Sequence, residues 1–445
     1  MTEKVNFSFY VKENFKSTLN QLAKNKSKAD NSYHTKYITV NDYLNSFSAE
    51  KLNTIGHKIS QLEYGCDSLT PIIIPKTTGL KDNTMTTENT RLVCVPSVQD
   101  RILQRLFLEY LKKYYGKIYN RFCEYDHALN RHIHKKEIDT LNKNGQTTKK
   151  TIHGIRKALD DVIEYRSKYR YVIKADIVKF FDNINREAAV KNFEKEFIGL
   201  NDDKELIAIF RSFIYCDAKL DYGDPKYKKL IETYLKELKG KGVRQGMPIA
   251  SFCSSMHLHD FDNWIVKKEI PYIRYADDFL IFGSSYDKIA VLKEEVRKLL
   301  KRMDLDIEKP NGFQKTEIFG FKKEFSYLGF EVIYQPSKES YTLQIPETVF
   351  HMTEERIRSF NTMSKVKRKL RNRASYSELD IYFNRLISGY TNYYSKELAH
   401  NGPDFKKHLI RASNDVRKKL ITDNLNIDFE DIGSANKRMF FFGIK

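Results

Sequence analysis

Two adjacent aspartates, Asp277 and Asp278, lie between runs of strand-forming residues in the stretch YIRYADDFLIFG. Neighbouring carboxylates repel each other and are costly to bury unless a cation compensates them. A third aspartate, Asp176, ends another apolar stretch, YVIKAD. Mg²⁺ prefers carboxylate oxygens, and aspartates on two adjacent strands can hold a pair of such ions for nucleotidyl transfer. The pattern therefore predicts a metal site built on Asp176 and the Asp277–Asp278 hairpin.

Each of these aspartates has a simpler interpretation when it is considered alone. Asp176 could cap a turn or a helix, and adjacent aspartates also occur at 160–161 and 202–203, in polar surroundings with a helical pattern. The metal interpretation depends on Asp176 and the hairpin being considered together.

The composition indicates a folded protein with a polyanionic partner. Lys and Arg number 77 against 58 Asp and Glu, a net charge of +19 over 445 residues, which predicts nucleic-acid binding. General abundance of lysine would produce the same excess. Five scattered cysteines without a CxxC pair argue against structural zinc and fit a reducing cytosol. The N-terminal stretch has no apolar leader, so we expect a cytoplasmic protein without a membrane segment.

Apolar periodicity predicts the elements that position these residues. Strands are expected in TPIIIPK, in RLVCVP and in the segment that ends at Asp176, with a hairpin across YIRYADDFLIFG. A long helix should begin after Ser97 as its N-cap. Further helices are expected over 186–240, with a break at CDAKLDYGDPKY, and over 248–269 and 287–303; the chain after about residue 345 should be helical. This order predicts an α+β domain followed by a helical one.

Three segments in this order, DIVKFFD, VRQGMPIA and YADD, resemble the palm motifs of reverse transcriptases. The fingers of bacterial, group II intron-like enzymes are resembled by the segment IPKTTGLKDNTMTTENTRLVCVPSVQDRILQ. The last palm motifs are resembled by QKTEIFGF and YLGF, and the thumb is resembled by LISGYTNYY. The resemblance covers about residues 60 to 400 and implies the fold of a right-hand polymerase. Its parts would be an N-terminal extension (1–60), fingers (61–170), a palm with an antiparallel sheet (171–335) that has a fingers insertion near 186–242, and an all-helical thumb with a C-terminal segment (336–445).

The resemblance also implies roles for the acidic residues. Asp176 and Asp277 would hold two Mg²⁺ ions, for which Mn²⁺ could substitute, and the carbonyl of Ile177 would add a ligand. Asp278 would lie near the primer end or tune the metals. Lys315 resembles the lysine that protonates the departing pyrophosphate.

Five further residues match positions that bind the incoming nucleotide. Lys76 and Arg91 would grip the triphosphate. Gln245 and Gly246 would line the nucleotide pocket. Phe181 lies where the family places an aromatic ring that excludes a 2′-hydroxyl and so favours dNTPs; its alternative is an ordinary core phenylalanine.

Two segments match surfaces that bind nucleic acid. The turn formed by Tyr327, Leu328, Gly329 and Phe330 would be the primer grip. The run KVKRKLRNR has six cations in nine positions and would contact phosphates of the template–primer duplex. Its alternative is a solvated helix face. The cations are Lys365, Lys367, Arg368, Lys369, Arg371 and Arg373.

The chain departs from the family pattern after VRQGMP. Ala250–Ser251 stands where Ser-Pro is usual and Ser255 where an Asn is usual, which puts template or nucleotide preference in doubt. The Val-Thr-Gly of retron enzymes and an HNH-type tail are also missing from the sequence. A palm and thumb without mobility domains resemble the bacterial reverse transcriptases of antiviral defence.

These observations predict an RNA-directed DNA polymerase that extends a 3′-hydroxyl with dNTPs on an RNA template. Its partners would be the RNA template and the DNA product, with a dedicated non-coding RNA as a further candidate by analogy; the sequence does not determine an oligomeric state. Two alternatives stay open. One is an intron maturase that acts as an RNA-binding splicing cofactor, and the other is a template-independent or protein-primed DNA polymerase on the same palm.

Overall fold

The fold is described from a computed structural model that covers residues 4–24, 39–76, 82–130, 134–141, 147–197, 204–307, 316–370, 375–395 and 398–425. The helices are α1 (Phe7–Lys24), α2 (Val40–Asn45), α3 (Ala49–Ser60), α4 (Val98–Tyr114), α5 (Gly116–Cys123), α6 (Ile155–Lys168), α7 (Phe180–Asn183), α8 (Arg186–Phe197), α9 (Lys204–Ile214), α10 (Lys228–Glu237), α11 (Ala250–Lys267), α12 (Tyr286–Lys301), α13 (Glu347–Arg358), α14 (Met363–Leu370), α15 (Tyr376–Tyr393) and α16 (Gly402–Leu425). Among the helices in these ranges, none is long and apolar enough to cross a membrane.

The strands are short. They are β1 (Thr70–Pro75), β2 (Thr90–Val95), β3 (Lys135–Leu141), β4 (Thr147–His153), β5 (Tyr171–Asp176), β6 (Tyr272–Tyr275), β7 (Asp278–Gly283), β8 (Glu317–Phe319), β9 (Phe325–Tyr327), β10 (Phe330–Gln335) and β11 (Ser340–Gln344). β1 pairs with β2 and β3 with β4 as separate hairpins. The other strands form two sheets, in the orders β6-β7-β5-β8 and β11-β10-β9.

The chain divides into two units. The first comprises Met1–Ala158 and Tyr171–Ile318, and the second comprises Leu159–Arg170 and Phe319–Lys445. The first unit therefore contains strands β5, β6 and β7, all of β8 except its last residue, and the segment from α7 to α12. The second contains the β11-β10-β9 sheet, most of α6 and the helices from α13 onward.

The inner strand β7 of the central sheet of the first unit has an unbroken buried run, and half of the residues of β5 beside it are buried. In β7 the run Phe279–Phe282 is buried without alternation, as expected of a strand that is covered on both faces. Phe279 contacts the ring of Phe261 on α11, with ring centroids 5.3 Å apart, while α12 packs against β5 and β7. The two strands that carry the aspartates are thus fixed by helices.

The predicted hairpin and helices are present, with one break. Ser97 caps α4 as expected, since its side chain accepts a hydrogen bond from the Asp100 N–H. The single long helix predicted after Ser97 is two helices, because Tyr115 has a non-helical backbone (φ −126°, ψ 33°) between α4 and α5. The predicted break within 186–240 also exists, between α9 and α10.

The second unit is organised around a buried arginine. Arg166 on α6 is 1% exposed, and its guanidinium donates to the carbonyl of Gly320 and to the hydroxyl of Tyr341, each at 2.8 Å. The same group lies 4.5 Å from the centroid of the Tyr341 ring. Strand β11 occupies residues 340–344, so the all-helical part of this unit begins at Glu347.

Replacing Arg166 by Met should destabilise the second unit. The substitution preserves the apolar length of the side chain but leaves the Gly320 carbonyl and the Tyr341 hydroxyl without their charged donor. Since a hydrogen bond to a charged group contributes about 1.5–3 kcal/mol, we expect a loss of about 3 kcal/mol or more in the free energy of unfolding, measured by urea denaturation. Arg170→Met is the matched control, because Arg170 is exposed. Equal losses from both variants would contradict this role of Arg166.

Candidate active site

Strand pairing brings the three aspartates to one end of the central sheet. In the register of β5 against β7, Asp176 lies directly opposite Asp278. Directly opposite residues of antiparallel strands have side chains on the same face, with Cβ atoms about 4.5–5.5 Å apart. The two-residue turn between β6 and β7 consists of Ala276 and Asp277, and Asp278 is the first residue of β7. Asp278 is thus the direct neighbour of Asp176, and Asp277 is at the tip of the hairpin as expected.

The three carboxylates are half-buried, whereas the strand residues beside them are fully buried. Ala175 and Phe279 are each 0% exposed. Ile177 follows β5 directly, and its side chain is buried. The site therefore presents oxygen atoms at the margin of a rigid apolar sheet.

This donor set suits a hard divalent cation. Asp176, Asp277 and Asp278 offer only oxygen, the atom that Mg²⁺ prefers. Within the described ranges, no group of three or more His, Cys, Asp or Glu side chains is arranged to hold a metal ion by itself. Magnesium sites commonly combine one or two carboxylates with substrate phosphates and water, so two to three half-buried aspartates fit such an ion.

The segment after Asp176 positions Phe181. Lys179 adopts a left-handed backbone (φ 46°) and starts the short helix α7. The Phe181 carbonyl accepts a hydrogen bond of 2.8 Å from the N–H of Val243, which ties it to the loop that carries Gln245 and Gly246. The Phe180 ring is buried, whereas the Phe181 ring is only half-buried. Phe181 is therefore held beside that loop with part of its ring accessible.

The loop of Gln245 and Gly246 is fixed to strand β2. The Cys94 N–H donates to the Gln245 carbonyl at 2.7 Å. Gly246 has φ 100°, and a Cβ at that position would lie 2.7 Å from the Cys94 carbonyl oxygen. Only glycine permits this close approach.

Two buried arginines, which the sequence analysis did not identify, support the same loop. Arg186 and Arg244 both bind the Asp217 carboxylate, with shortest contacts of 2.6 and 2.7 Å. They also donate to backbone carbonyls just before the loop: Arg186 donates to the Gly242 carbonyl and Arg244 to the Lys241 carbonyl. Burial raises the pKa of Asp217, but the two arginines outweigh this effect and hold the pKa below its usual value. The motif VRQG thus contributes a buried structural cation, Arg244, next to Gln245 and Gly246.

The β1–β2 hairpin places Lys76 and Arg91 on one face. Arg91 pairs with Ile74, and Lys76 lies two residues further along, where its N–H donates to the Asn89 carbonyl. Both side chains are exposed. Burial raises the pKa of the Asp182 carboxyl, while nearby cations, among them Lys76, lower it. Lys76 is therefore close enough to act electrostatically on the segment that follows Phe181.

The turn predicted as the primer grip lies in the second unit. Leu328 and Gly329 have φ of 47° and 78° and connect β9 to β10. The Tyr393 hydroxyl donates to the Leu328 carbonyl at 2.8 Å, and a Cβ on Gly329 would lie 3.2 Å from the Tyr394 hydroxyl. The tyrosines of LISGYTNYY thus hold this turn, while Tyr327 beside it is buried.

The basic run forms α14 and presents cations to solvent. Lys367, Arg368 and Lys369 are exposed, and Lys365 is half-buried with a hydrogen bond to Asn361. Partial burial and the like charge of Arg368 lower the pKa of Lys369, as expected where positive charge is concentrated. Arg371, Arg373 and Lys315 lie outside the described residues.

Comparison with known proteins decides the family. Residues 74–332, more than half of the chain, match the family described as reverse transcriptase (RNA-dependent DNA polymerase). The chain belongs to the reverse transcriptase family. It is 23% identical over 309 residues to protein YkfC of Escherichia coli (strain K12), an alignment that covers 60% of this chain and 67% of YkfC. It is also similar to telomerase from Candida albicans in complex with a TWJ fragment of telomeric RNA, with a TM-score of 0.39, 12% identity and coverage of 88% of this chain and 68% of the telomerase chain.

Family membership confirms the predictions of fold and reaction class. The protein is an RNA-directed DNA polymerase, and its helices and small antiparallel sheets are those of a right-hand polymerase. Reverse transcriptases as a family use divalent metal ions, in agreement with the oxygen donors described above. The matched range contains Asp176, the Asp277–Asp278 hairpin and the Gln245–Gly246 loop.

Replacing Gly246 by Ala should impair both stability and DNA synthesis by this reverse transcriptase. The added methyl group meets the Cys94 carbonyl and must displace the loop. Gly240→Ala is the control, because Gly240 also has positive φ (74°) but nothing lies within 4 Å of its Cβ position. We expect Gly240→Ala to cost about 1–2 kcal/mol of strain, and Gly246→Ala to cost about 1–3 kcal/mol more from overpacking. Thermal unfolding and primer extension measure both effects; indistinguishable variants would refute the close approach.

Proposed function

We propose that this reverse transcriptase holds two Mg²⁺ ions through Asp176 and Asp277, with Asp278 beside them, and adds dNTPs to a primer 3′-hydroxyl on an RNA template. The in-register pairing of Asp176 with Asp278, next to the turn that bears Asp277, is the observation that supports it most. Bound ions would activate the 3′-hydroxyl and neutralise the departing pyrophosphate. The chain itself supplies two rigid strands that keep the like-charged carboxylates together.

Selection of the incoming nucleotide would depend on Phe181 and the residues around it. Its backbone is tied to the Gln245–Gly246 loop through Val243, and its ring is partly accessible. A ring fixed beside the sugar would exclude a 2′-hydroxyl by contact. Lys76 and Arg91, exposed on one face of the β1–β2 hairpin, would bind the triphosphate as a point charge and a planar fork.

Binding of the template–primer duplex would fall to the second unit. The exposed cations of α14 suit contacts with phosphates, which depend on charge and shape rather than on base sequence. The Leu328–Gly329 turn, held by Tyr393, would rest against the primer strand. This surface accounts for part of the net charge of +19.

We further propose a role in antiviral defence with a partner non-coding RNA. This proposal depends on the resemblance to defence-associated bacterial reverse transcriptases and on the basic surface of the chain. Sequencing of the RNA and DNA that co-purify with the active protein and with its Asp277→Ala form would test it. A defined RNA in both preparations, with its DNA copy only in the active one, is the expected result. DNA of low complexity without a matching RNA would favour untemplated synthesis instead.

Substituting the hairpin aspartates should abolish synthesis without unfolding the protein. Asp277→Asn and Asp176→Asn preserve size and remove the charge that would hold the cations. Since a metal ion contributes several kcal/mol of transition-state stabilisation, we expect primer extension on RNA with dNTPs and Mg²⁺ to fall about 1000-fold or more. The double variant Asp160→Asn/Asp161→Asn, which alters another adjacent pair on α6, should remain active. Full activity of Asp277→Asn would exclude the metal assignment.

Removing the aromatic ring of Phe181 should weaken discrimination against ribonucleotides. We expect Phe181→Val to lower the ratio of kcat/KM for dNTP over rNTP by at least about tenfold, because the steric exclusion is lost. Phe181→Tyr preserves the ring and should retain the ratio. Single-nucleotide incorporation measures both substrates on one template. An unchanged ratio in Phe181→Val would show that Phe181 is only a core residue.

A further inference from the structure

A buried arginine lies directly beneath the turn that bears Asp277. Arg274 on β6 is 0% exposed, and every N–H of its guanidinium has an acceptor. Its Nε and Nη2 bind the two oxygens of Asp262 at 2.9 and 2.7 Å. Nη1 binds Asp126 at 3.2 Å, and the second Nη2 hydrogen binds the Ser255 hydroxyl at 3.1 Å. The fifth N–H donates to the carbonyl of Ala276 at 3.1 Å.

Both backbone polar groups of Ala276 are held by this network. Its carbonyl accepts from Arg274, and its N–H donates to the Asp126 carboxylate at 3.1 Å. Ala276 has φ 57°, a left-handed conformation that a residue with a Cβ rarely adopts. Such a conformation persists only when its surroundings fix it. The residue immediately before Asp277 is therefore clamped by a buried ion pair.

The network joins two parts of the first unit, the segment after α5 and helix α11, to the hairpin. Asp126 follows α5, and the N–H of the adjacent His127 donates to the Arg274 carbonyl at 3.0 Å. Asp262 and Ser255 both lie on α11, the helix that follows the Gln245–Gly246 loop. Asp262 also accepts from the Tyr272 hydroxyl at 2.9 Å. Arg274 thus connects the helix behind the nucleotide loop with the turn of the catalytic aspartates.

We propose that Arg274, with Asp126 and Asp262, is a positioning group for catalysis, which sets the backbone of Ala276 and thereby the placement of Asp277. The inference rests on the proposed function of Asp277 as a metal ligand. Arg274 touches no substrate. Its contribution is geometric, because a planar fork bound on all sides fixes the turn in a way that a point charge cannot.

The test uses the full chain with Arg274→Lys and Asp126→Asn. Lysine preserves the charge of Arg274 but cannot bind Asp262, Ser255 and the Ala276 carbonyl together. In Asp126→Asn, one of the two carboxylate oxygens, which accept from the Ala276 N–H and from Arg274, is replaced by an NH₂ group that donates instead of accepting. The control is Arg417→Lys, which alters another buried arginine, paired with Asp380 in the second unit. Fluorescence of Trp264, the single tryptophan, reports folding of α11 in every variant. Rates are compared at equal folded fraction.

Displacement of reacting groups by about 1 Å can cost about 100-fold in rate, so we expect kcat to fall about 10- to 100-fold in both clamp variants. The Mg²⁺ concentration for half-maximal rate should rise several-fold, and the affinity for primer–template should be unchanged. Hydrogen–deuterium exchange should become faster in peptides that span 272–283. Arg417→Lys should show none of these changes.

Kinetic behaviour like that of Arg417→Lys, or faster exchange with unchanged kcat and Mg²⁺ dependence, would overturn the positioning role. If the wild-type protein makes no DNA on RNA while the variants still exchange faster in 272–283, the clamp on the turn stands and the proposed function fails. The two failures are therefore distinguishable.

Discussion

The structure depends on keeping like charges together. Asp176 and Asp278 are directly opposite on paired strands, and Asp277 is one residue away in the turn, so their carboxylates repel each other at short range. The protein opposes this repulsion with rigidity. Strand β7 has an unbroken buried run, three of the six residues of β5 are buried, and helices α11 and α12 pack against the sheet. The divalent cation proposed above would compensate this repulsion, and the half-buried position of the three aspartates leaves them accessible to it.

Irregular backbone near the aspartates is held by buried arginines. Arg274 binds the carbonyl of Ala276 in the hairpin turn, and Arg186 and Arg244 bind the carbonyls of Gly242 and Lys241, two adjacent residues shortly before Gln245. Turns cannot satisfy their carbonyls through a sheet or helix ladder, so a buried turn needs another donor. A guanidinium offers five donors in a fixed plane and stays charged, which suits several acceptors at once. Each arginine is in turn balanced by a carboxylate, Asp262 or Asp217.

The sequence was sufficient for features that depend on local pattern. The strand that ends at Asp176, the hairpin of Asp277 and Asp278, and the cap at Ser97 follow from alternation, apolar runs and capping chemistry. Features set by distant contacts were not predictable. The register that places Asp278 opposite Asp176 joins segments about 100 residues apart, and Arg274 meets Asp126 across a separation of 148 residues. Tyr115 interrupts a helical pattern that continues on both sides of it, so periodicity gave no sign of the break.

Ser255 illustrates how the structure changes the meaning of a departure from the family pattern. A serine in place of the usual asparagine suggested a difference in template or nucleotide preference. The side chain is 0% exposed, donates to the Phe122 carbonyl at 2.9 Å and accepts from Arg274 at 3.1 Å. One hydroxyl thus serves as donor and acceptor within the network under the hairpin, and it cannot touch a substrate from there. Ser255 is connected to the hairpin turn through Arg274, which also binds the Ala276 carbonyl.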